Sequence, residues 1–238
     1  MKTGSFILTV LSLIFLTSLS SCYFSMRNLG PTVEEEINIG SFEGLKVSSG
    51  VDIKLIQSDE HRVVIKANED LLDDVEVEVV NGTLKISVDR RWFRVGGNVE
   101  AEVTFVDLNS IDVSAGSDVE STGTLEFRDI EIEASSGSDL KLSLEASSVN
   151  LRTSSGSDAK LKGRAREFKA KASSGSDIDA YDFEVEDAIL ECSSGSDVKA
   201  WITETLSVKA SSGSDIYYRG DPVLEDVSTS GGSDLHKR

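Results

Sequence analysis

The 238-residue chain has two cysteines, two histidines, two prolines and two tryptophans. Two cysteines exclude a disulfide framework, and so few Cys and His leave little material for a zinc site built from them. Two prolines exclude a proline-rich linker. Basic residues are also scarce, 24 Lys and Arg against 42 Asp and Glu, for a formal net charge of −18. A phosphate backbone is bound by clustered cations, so this balance excludes nucleic acid as a partner. It equally argues against electrostatic attraction to an anionic membrane surface.

Long hydrophobic runs are missing apart from one. Phe6 to Leu16 is apolar, follows Lys2, and ends in Leu19-Ser20-Ser21-Cys22. The run is too short to span a bilayer and reads as the core of a secretory signal. The closing string resembles a bacterial lipobox, in which small residues precede a cysteine that becomes the lipid acceptor. Residues 1–21 are then a lipoprotein signal peptide and Cys22 is the lipidated first residue. Tyr23 in the following position is not Asp, which in the general lipoprotein pattern implies the outer membrane, at its periplasmic or surface face. Residues 22–36, with Gly30-Pro31 and three acids at Glu34, Glu35 and Glu36, read as a tether. Cys192 is the remaining thiol and reads as a small buried core residue.

What the chain has in abundance is one tripeptide. Gly-Ser-Asp occurs seven times, with its glycine at 116, 137, 156, 175, 195, 213 and 232. A period near nineteen residues is the signature of a solenoid. Three residues after the glycine stand Val119, Leu140, Ala159, Ile178, Val198, Ile216 and Leu235. Five before it stand Ile111, Ile132, Leu151, Ala170, Leu190, Val208 and Val227, and three before it Val113, Ala134, Thr153, Ala172, Cys192, Ala210 and Thr229. The intervening positions are polar in nearly every copy. Alternation with period two on both sides of the glycine is strand, not helix. One such rung cannot bury its apolar face, whereas stacked rungs can.

The expected fold is therefore all-β: a single-stranded β-helix, or β-solenoid, of ~19-residue rungs. Its right hand follows the general chirality of such crossovers. Residues 111–238 form the repeat solenoid. Residues 37–110 supply N-terminal rungs and a cap, with Ser48-Ser49-Gly50-Val51-Asp52 as a degenerate first corner. A two-residue turn at Asn81-Gly82 joins Val75–Val79 to Leu84–Val88 as a hairpin. The corner glycine needs a positive φ, and the Ser and Asp beside it suit Asx- and ST-type turns.

The lipobox, the opening Phe42-Glu43-Gly44-Leu45-Lys46-Val47-Ser48-Ser49-Gly50-Val51-Asp52, the Asn-Gly hairpin and the Ser-Gly-Ser-Asp ladder together resemble the head GIN domain family of auto-transporter adhesins. The resemblance covers about residues 40–235. It implies a β-solenoid exported across the inner membrane, and brings no catalytic residue with it.

Candidate site residues follow. The aspartate column Asp118, Asp139, Asp158, Asp177, Asp197, Asp215 and Asp234 would repeat once per rung. Neighbouring carboxylates ~4.8 Å apart repel by roughly 0.9 kcal/mol in water. Corner capping disperses this; a Ca²⁺ or ligand ladder is the competing use. Trp92 and Phe93, in an Arg-rich loop, are candidate binding aromatics, and Trp201, Tyr217 and Tyr218 lie near the last rungs. His61 reads as part of a solvated turn, and His236 as part of a tail that blocks the open end of the sheet. Acids that recur equivalently in every rung give no unequal pair for acid–base work, and no Gly-x-Ser-x-Gly nucleophile elbow occurs.

The function expected is a non-enzymatic, lipid-anchored envelope protein that presents a glycan- or protein-binding surface as an adhesin or scaffold. No cofactor is expected beyond that candidate Ca²⁺, and the sequence leaves the oligomeric state open. Two alternatives stand beside it: a carbohydrate-active β-helix enzyme, and an envelope-stress or signalling module that binds another protein.

Overall fold

The computed structural model describes residues 30–89 and 97–238. Cys22, the signal segment, Trp92 and Phe93 lie outside the described residues.

The repeat region is a stack of parallel coils, as its period demands. Strands β9 (Asp118–Ser135), β10 (Asp139–Ser154), β11 (Asp158–Ser173), β12 (Asp177–Ser193) and β13 (Asp197–Ser211) each run from one corner to the next. Successive coils pair in register with like on like. Asp139 lies beside Asp158, Leu140 beside Ala159, and Thr153 beside Ala172. The columns read from the sequence are the core. Val119, Leu140, Ala159, Ile178, Val198 and Ile216 are buried, and so are Ile132, Leu151, Ala170, Leu190 and Val208. The last full coil is made by β14 (Asp215–Arg219) and β15 (Val223–Ser230), and β16 (Leu235–Lys237) stacks on β14 as the start of one more rung. Here the column opens. Val227, the counterpart of buried Val208, is 45% exposed, because no described strand stacks beyond it.

The N-terminal part keeps the coil geometry but changes the order. Strands β2 (Gly44–Val47) and β3 (Val51–Gln57) form a rung around the corner at residues 48–50. That rung does not end the stack. β2 lies between β6 (Thr83–Val88) and β8 (Ser110–Ser114), all parallel. β3 lies between β7 (Val99–Phe105) and β9. The first rung in sequence is thus second in space. The expected hairpin closes this end: β5 (Val75–Val80) runs antiparallel to β6 across Asn81-Gly82, whose φ values of 51° and 77° are those of a type I′ turn.

On a separate path of the sheet, strand β4 (Arg62–Asn68) runs antiparallel to β7, and β1 (Thr32–Ile37) runs antiparallel to β4. A single helical turn, α1 (Glu69–Leu72), follows β4.

Two expectations are corrected here. The segment read as a tether, residues 22–36, includes the greater part of β1: Thr32 to Glu36 pair with Val64 to Asn68. The three glutamates are outward and edge positions of a strand, and charge on an edge discourages further pairing. His61 is not in a freely solvated turn. Its ring packs on Phe42 with centroids 4.6 Å apart, because Phe42 is buried and needs cover at the cap.

Candidate functional site

Each corner is built by two residues in succession with positive φ. Ser136 and Gly137 have φ of 61° and 73°, and Ser174 and Gly175 of 58° and 68°. The serine adopts a conformation that costs a Cβ-bearing residue something. The compensation lies in the hydrogen bonds. The amide of Gly156 donates to the carbonyl of Ser174 in the next rung at 3.2 Å, and that of Gly175 to Ser194 at 3.1 Å.

The two polar residues after the glycine then divide the work. The serine turns inward: Ser117, Ser138, Ser157, Ser176, Ser196, Ser214 and Ser233 are all buried. A buried hydroxyl must be paired, and these are. Ser176 Oγ donates to the Ser173 carbonyl at 2.9 Å and meets Thr153 Oγ1 at 3.0 Å. Ser157 Oγ accepts from the Ser138 amide at 3.1 Å. At the degenerate first corner, Ser117 Oγ accepts from both Gly50 and Val51 amides at 3.1 Å.

The aspartate turns outward and caps the next rung. Asp118 Oδ1 accepts from the Asp139 amide at 3.2 Å, Asp158 Oδ1 from Asp177 at 3.1 Å, and Asp177 Oδ1 from Asp197 at 2.9 Å. Asp197 and Asp215 do the same for Asp215 and Asp234, at 3.3 and 3.0 Å. The Asp158 amide instead donates to the Ser138 carbonyl at 3.1 Å. One carboxylate oxygen of most members of the column is therefore engaged in stacking rungs.

Cys192 stands in the inward column beside the serines. Its thiol donates to the Ser196 carbonyl at 2.7 Å, and burial pushes its pKa up, opposed by hydrogen bonds with Ser196 and Ser214. A raised pKa makes it a poor nucleophile at neutral pH.

Among the concavities of the outer surface, two bear on the candidate residues. A small one of about 260 Å³ sits where the aspartate column meets the cap, between Asp52, Lys54, Glu100, Asp118, Glu120 and Asp139. Partial burial, then the charges of Asp118 and Glu100, raise the Asp52 pKa above its ordinary value.

The larger concavity, about 640 Å³, is a groove on the side opposite the corners. Its floor is the column Phe127, Ala146, Ala165, continued by Val185. Ala146 and Ala165 stack between the larger Phe127 and Val185, whose side chains belong to the core. The rim is the adjacent column Glu126, Glu145, Arg164 and Glu184, with Arg166 and Glu186 beyond. Arg164 reaches Glu145 through Nε at 3.0 Å and Nη2 at 2.6 Å. The sequence reading missed the groove, since only columns near the glycine were aligned; the signal is the small pair Ala146 and Ala165.

The aromatics of the last rungs pack against cations. The Arg219 guanidinium lies 4.3 Å from the Trp201 ring centroid. Tyr217 stacks on His236 at 4.9 Å and lies beneath Arg238. Among the described residues, no helix is long and apolar enough to cross a membrane.

The family model described as "Putative auto-transporter adhesin, head GIN domain" matches residues 41–222. The chain belongs to this family. The match begins beside the buried Phe42 of the cap and runs through β14, so the head GIN domain comprises both the reordered N-terminal rungs and the repeat ladder. No curated protein matches the chain in sequence.

Solved structures share the fold. One, described as a "putative adhesin" from Bacteroides fragilis, aligns with a TM-score of 0.81 at 18% identity, over 87% of this chain and 97% of its own. Another so described, from Parabacteroides merdae, gives 0.71 at 15% identity over 88% and 97%. A "putative lipid binding protein" from Parabacteroides distasonis gives 0.71 at 18% identity, also over 88% and 97%. At these identities the likeness is one of fold. The head GIN domain here is thus a β-solenoid that chains of different sequence also build.

Proposed function

We propose that this protein is a non-enzymatic, lipid-anchored rod of the cell envelope that binds a glycan or protein surface, as an adhesin or scaffold, through its lateral groove. Membership of an adhesin-described family supports the surface or envelope setting. The string Leu19-Ser20-Ser21-Cys22 supports anchoring through Cys22, at the outer membrane.

The observation that carries the binding surface is the groove. Ala146 and Ala165 stack along its floor, and its rim alternates acid with guanidinium across Glu145, Arg164 and Glu184. Such a rim offers acceptors and donors to sugar hydroxyls, or acceptors to the cations of a basic protein segment. The aspartate corners are weaker candidates, because their Oδ1 atoms serve the next rung. Glu145 is held in place by Arg164, which presents its carboxylate along the rim.

The test is binding of the purified protein to arrayed glycans and basic peptides. Ser147→Trp and Glu184→Lys, both at exposed groove positions, should each abolish the signal while leaving the melt unchanged. Full binding by both variants would overturn the assignment of the groove.

A further inference from the structure

Asp215, Asp234 and His236 each place a ligand atom within 4.8 Å of the other two. Register brings them together. Tyr217 and His236 are partners on neighbouring strands, and the Asp234 amide donates to Asp215 at the corner. Residues two apart on a strand share a face, so His236 follows Asp234 on the side where Tyr217 follows Asp215.

The imidazole is held in place from outside the trio. It stacks on Tyr217, with ring planes 18° apart. The Tyr217 hydroxyl lies 3.4 Å from Asp215 Oδ2, so one tyrosine lies against both the ring and a carboxylate. Outer groups that position ligands in this way are a regular part of metal sites. The same position in three earlier rungs carries Lys141, Lys160 or Lys199, which sets an ammonium beside the aspartate column. The last two rungs replace lysine by Tyr217 and His236, and the carboxylates there meet an imidazole.

We propose that Asp215, Asp234 and His236 form a binding site for a divalent transition ion of the zinc type, at the end of the rod away from the cap. Imidazole selects such ions over Ca²⁺ and Mg²⁺, which prefer oxygen donors alone. Bonds of about 2.1 Å in a tetrahedral site place ligand atoms roughly 3.4 Å apart. Closing from 4.8 Å needs side-chain rotation at a rung edge. Asp215 Oδ1 stays on the Asp234 amide, which leaves Oδ2 for the ion. Three protein ligands leave a coordination position open to water or to a group from outside. This site is separate from the lateral groove and does not depend on it.

The experiment is calorimetric titration of untagged protein with ZnCl₂ at neutral pH, beside the imidazole proton signals of the unaltered protein by NMR. One Zn²⁺ should bind per chain, shift the His236 signals and leave those of His61 in place. Affinity should fall roughly ten-fold or more in His236→Ala and in Asp215→Asn, and be unchanged in His61→Ala. Asn at 215 retains an acceptor for the Asp234 amide, so that variant tests charge without removing the corner bond. Absence of saturable binding would overturn the proposal. So would binding unaffected by His236→Ala, unmoved His236 signals, or equal competition by Ca²⁺.

Discussion

Asp158 Oδ1 accepts the backbone amide of Asp177, one full rung away, at 3.1 Å. The repeated aspartate is thus a tie between neighbours in the stack and not merely a turn residue within its own rung. Asparagine can make the same bond and alanine cannot. Asp158→Ala is expected to cost about 1 kcal/mol, by analogy with loss of a side-chain cap, and Asp158→Asn much less. Urea denaturation of both variants checks this. Equal losses would contradict the tie.

The inward serine should matter more than the outward aspartate. Ser176 Oγ joins the Ser173 amide and carbonyl to Thr153 in a site without solvent. Ser176→Ala leaves buried groups unpaired, at a cost of about 1–3 kcal/mol. Comparison of its denaturation midpoint with that of Asp158→Ala decides the order.

Two glycines carry distinct constraints. At Gly175 the φ of 68° is the constraint, with open space around a would-be Cβ; at Gly163 the φ is 111° and a Cβ would stand 2.1 Å from the Leu144 carbonyl oxygen. A β-branched residue is strained at the first and any side chain collides with backbone at the second. Gly175→Val should lower stability by about 1–3 kcal/mol. Gly163→Ala should lower it at least as far, since the clash adds to the strain. Thermal melts of the two read this directly.

Asp52 gives a pH dependence with a defined sign. Its folded pKa is raised by burial, then by Asp118 and Glu100, so in the window above the ordinary carboxylate value the folded state binds more protons than the unfolded state. Stability therefore falls as pH rises through that window, and the penalty is fully present once Asp52 is ionised in the fold. Asp52→Asn should raise the Tm at pH 7 and change it little near pH 3. An unchanged Tm at pH 7 would contradict the assignment.

Cys192 should be protected from alkylation in the native rod. Its thiol is buried and its pKa raised. Reaction with a thiol reagent should follow the unfolded fraction across a urea titration. Rapid labelling in native buffer would show that this part of the ladder opens locally.

The coils were legible in the sequence because a repeat exposes its own columns. Val119, Leu140, Ala159 and Ile178 fall three residues after successive corner glycines, and each is buried. The order of the first rungs was not legible. Nothing in Leu45–Gln57 states that Leu84–Val88 will stack on its outer side, since the decision rests on long-range pairing of β2 with both β6 and β8. Gln57 is a second case. Its side-chain amide bonds the Glu126 carbonyl at 2.9 Å and its oxygen accepts the Glu126 amide at 2.6 Å, which continues the ladder where the β3 backbone leaves it. A glutamine in that role looks like any polar strand end. The candidate site was less legible than the fold. The motif marks the aspartates, whereas the groove is lined by Glu145, Ala146, Arg164 and Ala165, midway between corner glycines, and becomes visible only once the rungs pair.

The most direct measurement sets the two surfaces against each other on one array of glycans and basic peptides. One protein carries Asp158→Asn, Asp177→Asn and Asp197→Asn together, and the other carries Ser147→Trp with Glu184→Lys. The corner variant should retain its bound ligands and the groove variant should lose them. Loss with the corner variant and retention with the groove variant would contradict the account.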